Sequence, residues 1–139
     1  MRDVTFVSTH LWFFAYLIDV VWSSLTEVWL YGEGLTAQAF THTVHLAAIG
    51  NGVVIVLMYW LVAALLRSDK WLREPSLERF FYATVTVLGV GLLIELGLVA
   101  LGGPWSYTGV LQSVLGYVVV FLCSLSLTYQ SLFSEPLLN

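Results

Sequence analysis

Four long apolar runs constrain this chain more than any other feature. They extend roughly from Val4 to Leu30, Thr43 to Leu66, Phe80 to Leu101 and Trp105 to Leu132. A helix rises 1.5 Å per residue, so each run is long enough to cross about 30 Å of hydrocarbon. The runs are continuous and lack the alternation of a membrane strand, so helices are expected rather than a barrel. The expected fold is all-α: an antiparallel bundle of four transmembrane helices, forming one domain over residues 1–139.

Composition supports the same class. Charged residues make up only 10% of the chain and hydrophobic ones 59%, whereas soluble domains carry about 25% charged residues. Five basic residues are too few for a nucleic-acid footprint. Cys123 is the only cysteine, which excludes an internal disulfide and argues against a cysteine-based zinc site. The first run is longer than a signal-peptide core and no A-x-A cleavage pattern follows it, so it is read as retained.

The links fall at Tyr31–His42, Arg67–Arg79 and Gly102–Pro104, each carrying glycine or proline. All five basic residues, Arg2, Arg67, Lys70, Arg73 and Arg79, lie on one side of the runs. By the positive-inside rule that side is cytoplasmic, so both termini of a multi-pass cell-membrane protein are expected there. The acids Asp69, Glu74 and Glu78 make the central loop mixed rather than a polybasic lipid clamp. Trp12, Trp29, Trp60, Trp71 and Trp105 are read as an interfacial belt, and Trp22 as packed inside.

Polar groups at membrane depth gather toward the opposite, outer side. Glu95 is expected roughly 9 Å, Gln112 about 10 Å, Asn51 roughly 12 Å and Asp19 roughly 16 Å from the outer ends of their helices. Such groups are expensive in hydrocarbon and face protein or water. No basic residue stands at their depth, so each carboxyl must be protonated, hydrogen-bonded, or close to water or a cation. Ser23 and Thr26, in helical phase with Asp19, are expected to satisfy it. On the fourth run, Gln112, Gly116, Val119, Cys123, Ser126 and Gln130 recur at steps of four and three, which predicts a polar, small-residue seam facing other helices.

Candidate sites follow from these placements. Glu95, Asp19 and His45 are the candidate acid–base groups, and Asn51, Trp105, Tyr107 and Gln112 the candidate ligand-binding groups. His42 and His45, spaced i, i+3, form with Glu27 a candidate mixed site for zinc, copper or iron. The sequence names no cofactor. The stretch Glu95-x-Gly97-x4-Gly102-x2-Trp105-x-Tyr107 resembles stretches in small membrane carotenoid cyclases and hydratases. That resemblance covers residues 95–107 alone, and the further acidic motifs of such enzymes are missing. It implies an acid that protonates an olefin beside aromatic rings.

Three functions are therefore expected in order. The first is a non-catalytic subunit or assembly factor of a larger membrane complex, holding a lipid or pigment. The second is an intramembrane enzyme acting on a lipid or isoprenoid through Glu95. The third is an oligomeric proton-coupled transporter. The expected partners are membrane lipids and other membrane-protein subunits or further copies of this chain, with no nucleic acid.

Overall fold

A computed structural model describes residues 2–26, 37–68, 70–101 and 107–133, with side chains placed at 5–26, 41–68, 70–101 and 110–133. Those residues are all-helical apart from short turns. The helices are α1 (Arg2–Leu25), α2 (Ala37–Leu65), α3 (Leu77–Ala100) and α4 (Tyr107–Phe133). Each is long and apolar enough to span a membrane.

The boundaries differ from expectation in one useful way. Helix α2 starts at Ala37, so His42 lies within the helix and not in a link. Ala37, Gln38 and Ala39 are good helix formers and extend the apolar run backwards. Helix α1 ends at Leu25, and residues 27–30 of the first expected run lie outside the described residues.

Neighbouring helices run antiparallel. Gly52 lies against Trp12, and His45 meets Tyr16, so α1 and α2 descend past each other. Gly91 lies against Tyr117, which pairs α3 with α4. Helix α1 packs along both α2 and α4, and α4 along α3, while α2 and α3 meet only loosely. The ring closes in the order α1–α2–α3–α4.

Inward stripes advance by four residues. On α1 the buried row is Val7, Leu11, Ala15, Asp19 and Ser23; on α3 it is Ala83, Val87, Gly91 and Glu95. Such i, i+4 rows form ridges inclined to the helix axis. Both rows change from apolar to polar toward the C-terminal end of their helix, and α1 and α3, each antiparallel to its neighbours, run in the same direction, so their polar ends lie at the same end of the bundle. Leu11, Ile55, Val87 and Phe121 fill the apolar remainder.

The other end is basic and closed by the α2–α3 loop. Arg67 adopts a left-handed conformation (φ 50°), and the amides of Arg67 and Ser68 donate to the carbonyls of Ala64 (3.1 Å) and Ala63 (3.0 Å). These two bonds cap α2 as a Schellman motif does, with arginine at the position glycine usually holds. Trp71 and Leu72 then turn into the core, each only 1% exposed. Trp71 packs tilted against Tyr59, with 5.4 Å between ring centroids. Trp71 therefore belongs to the core and not to an interfacial belt. Arg79 holds the loop in place, donating to the Glu74 carbonyl at 2.6 Å and pairing with its carboxylate at 3.3 Å. Ser76 caps α3 by accepting from the Arg79 amide at 3.2 Å. Arg73 lies 5.1 Å from the Phe133 ring centroid, which links the loop to the end of α4.

The expected α4 seam is corrected by the fold. Gly116 is buried, but Val119, Cys123, Ser126 and Gln130 are exposed. The inward face is instead Val110, Val114, Tyr117, Phe121, Leu125 and Thr128. The physical reason is local. The Ser126 hydroxyl donates to the Leu122 carbonyl at 2.8 Å, so it needs no other helix to satisfy it. Polarity alone therefore did not turn the helix, whereas Tyr117 and Phe121 had large surfaces to pack.

Candidate functional site: an acidic chamber shared by four helices

A cavity of about 120 Å³ lies at the polar end of the bundle. All four helices line it. Asp19, Trp22 and Ser23 come from α1, Ala47 and Asn51 from α2, Glu95 and Leu98 from α3, and Ser113, Gly116 and Tyr117 from α4. None of these ten lining residues is Lys, Arg or His.

Asn51 is the centre of the polar chain. Its Nδ2 donates to Asp19 Oδ2 at 3.0 Å. Its Oδ1 accepts from the Tyr117 hydroxyl at 3.5 Å. One amide thus serves an acceptor on α1 and a donor on α4 with opposite ends of its own dipole. Beyond Tyr117 stands Glu95, whose carboxyl has Ser113 and Tyr117 as hydrogen-bonding neighbours. Asp19 is 4% exposed and Glu95 2%. Glu95 Oε2 is buried and has no partner.

Glycine makes the close approach possible. A Cβ built on Gly116 would sit 2.5 Å from Trp22 Nε1, and one on Gly91 would sit 3.1 Å from Tyr117 Cδ2. Trp22 can lean over α4, and Tyr117 can lie flat on α3, only because no side chain stands there. The Trp22 Nε1 donor is buried without a partner beside the chamber.

The candidate residues divide clearly. Asp19, Asn51 and Glu95 come together in the chamber. His45 does not line it: that residue is exposed, and its Nδ1 lies 2.7 Å from the Tyr16 hydroxyl. His42 is exposed as well, and Glu27 lies outside the described residues. Among the described residues, no three His, Cys, Asp or Glu gather as metal ligands. Gln112 is half-buried and does not line the chamber. Trp105 lies outside the described residues, and Tyr107 opens α4 with its side chain outside them.

Asp19 finds its partner on another helix. The Thr26 hydroxyl donates instead to the Trp22 carbonyl at 2.8 Å. Tyr117 and Ser113 were not anticipated. Ser113 is one residue, or about 100° of helix, from Gln112. Anchoring the phase of α4 on its aromatics, Tyr117 and Phe121, and not on its polar residues, points to Ser113 and Tyr117 together.

The chain matches no protein family, no curated protein and no solved structure.

Proposed function

We propose that this chain is a multi-pass cell-membrane protein that acts as a non-catalytic subunit or assembly factor of a larger membrane complex. Its basic end and both chain termini face the cytoplasm in this reading. The observation that carries the non-catalytic part is the volume of the chamber. At about 120 Å³ it accommodates roughly four waters at about 30 Å³ each. Organic ligands occupy pockets of about 300–1,000 Å³, so the chamber, though partly open, is small for a lipid or isoprenoid beside Glu95. The larger apolar groove between α1 and α2 is lined by Thr5, Ser8, Thr9, Trp12, Val53 and Val56 and contains no acid.

The outward row on α4 supports a partner. Cys123, Ser126 and Gln130 are exposed on a helix otherwise suited to lipid, and small or polar residues are the usual contacts between membrane helices. Gentle solubilisation followed by native mass spectrometry tests this reading. A stoichiometric partner, lost on Ser126→Leu, is expected. A purified monomer that turns over lipid, with turnover abolished by Glu95→Gln, overturns it.

A second reading is an oligomeric proton-coupled transporter, which two buried carboxyls free of basic neighbours favour. Proton flux in liposomes that Glu95→Gln removes supports it, and flux unaltered by that change excludes it.

A further inference from the structure

We propose that Tyr16 and His45 form a proton-coupled redox site, at which the Tyr16 phenol gives one electron to a lipid peroxyl radical while its proton passes to the imidazole. The pair lies outside the chamber and goes beyond the proposed function. The lipid oxidant rests on the reading of the chain as membrane-spanning, whereas the pair itself does not.

The first ground is the bond. The Tyr16 hydroxyl lies 2.7 Å from His45 Nδ1, across the contact of α1 with α2. A phenol that loses an electron becomes a strong acid, so it is oxidised readily only where a base takes the proton in the same event. Such a base must stand within about 2.6–3.2 Å, and imidazole is the usual one. With the phenol donating, Nδ1 accepts and Nε2 carries the ring N–H.

The second ground is that the rings are held. A Cβ on Gly52 would sit 2.9 Å from Trp12 Cδ1, so Trp12 lies closely on α2. Trp12 stacks on Tyr16 with 5.9 Å between centroids and 13° between planes, and Tyr16 on His45 with 6.0 Å and 28°. Those separations are typical of attractive ring pairs. Phenol and imidazole therefore meet with little reorganisation when charge moves. The third ground is access. Tyr16 is half-buried and His45 exposed. His45 stands four residues, about 6 Å, inside Thr41, the first residue of its span. A peroxyl group is more polar than the chain that carries it, so it rises toward that depth.

The step balances as the transfer of a hydrogen atom. The phenolic O–H bond breaks, the electron reduces the peroxyl radical to a peroxide anion, and the proton binds Nδ1. The imidazolium returns its Nε2 proton to the peroxide, forming the O–H bond of a lipid hydroperoxide. Tyr16 is left as a phenoxyl radical, and the Nδ1–H of His45 now donates to its oxygen. One chain consumes one peroxyl radical.

The test begins with the full chain in detergent and a water-soluble one-electron oxidant, hexachloroiridate. Electron paramagnetic resonance is expected to show a tyrosyl radical that ring-deuterated tyrosine narrows and Tyr16→Phe removes. Tyr82→Phe, at an exposed tyrosine, should retain it. Glutamine keeps an acceptor for the hydroxyl but is no base, so His45→Gln separates a redox role from a tie between helices. A positioned base contributes roughly 10²–10⁴-fold, so His45→Gln should slow Tyr16 oxidation by about a hundredfold or more. In liposomes of unsaturated phosphatidylcholine with a lipid-soluble azo initiator, the unaltered chain should delay oxygen uptake, and Tyr16→Phe and His45→Gln should not. Flotation with the liposomes checks the membrane reading separately. No tyrosyl radical in the unaltered chain overturns the site. So does a radical that survives Tyr16→Phe, or an oxidation rate that His45→Gln leaves unchanged. Oxidation in detergent with no delay in liposomes that carry the chain overturns the lipid substrate.

Discussion

At the scale of single residues, two aromatic rings lie where a side chain on glycine would stand. Gly116→Ala places a methyl 2.5 Å from Trp22 Nε1, so the indole must shift or the helices separate. A loss of about 1–3 kcal/mol is expected, read as a lower midpoint in thermal or denaturant unfolding. Gly89→Ala is the matched control, since nothing lies within 4 Å of its added Cβ. It should leave stability unchanged or raise it by up to about 1 kcal/mol through helix propensity. The Asp19–Asn51 bond is measurable by a double-mutant cycle with Asp19→Ala and Asn51→Ala. Hydrogen bonds between membrane helices couple by about 0.6 kcal/mol on average and at most about 1.7. A coupling indistinguishable from zero contradicts the bond. The sequence marks Asp19, Asn51 and Glu95 as costly in lipid, and that much is legible one residue at a time. It does not say that Asn51 rather than Thr26 answers Asp19, because that choice depends on which helix lies alongside.

At the scale of elements, the α2–α3 loop is more than a solvated connection. Its charges hold an aromatic plug: Arg79 gathers Glu74, and Trp71 packs beneath against Tyr59. Trp71→Ala is expected to destabilise by about 3–5 kcal/mol, far more than loss of an interfacial tryptophan. The Arg67 cap is the weak joint of the loop. Its left-handed backbone costs a non-glycine residue about 1–2 kcal/mol, so Arg67→Gly is expected to raise the unfolding midpoint if the Schellman bonds hold. A fall instead would mean that the arginine side chain contributes more than its backbone loses. The helices were legible because the runs of apolar residues are long. The plug was not, because a tryptophan between charged residues reads as interfacial until a tertiary neighbour claims it. The outward seam of α4 failed to follow polarity for a related reason. Hydroxyls that bond their own helix, as Ser126 does, exert no pull toward the core.

At the scale of the whole molecule, the bundle is polarised. One end holds Arg67, Lys70, Arg73 and Arg79 around an apolar plug, and the other holds two acids around a chamber. If the positive-inside rule governs insertion, reporters fused to both termini should read as cytoplasmic. Replacing the four loop cations with glutamine should give mixed orientations in the same assay. Reporters found outside in the unaltered chain refute the proposed sidedness. The α2–α3 contact is the loosest of the four around the ring, and both of these helices line the chamber.

What the sequence by itself determined is the helical class and, among the described residues, four helices each long and apolar enough to cross a membrane. Run length, scarcity of charge and the one-sided placement of five basic residues follow from composition along the chain, which a bilayer reads almost locally. What the tertiary structure alone decided is which polar groups meet. Helical phase is uncertain by a residue or so, and one residue turns a side chain by about 100°. That error exchanges Ser113 for Gln112, and only packing of Tyr117 on Gly91 and Trp22 on Gly116 removes it.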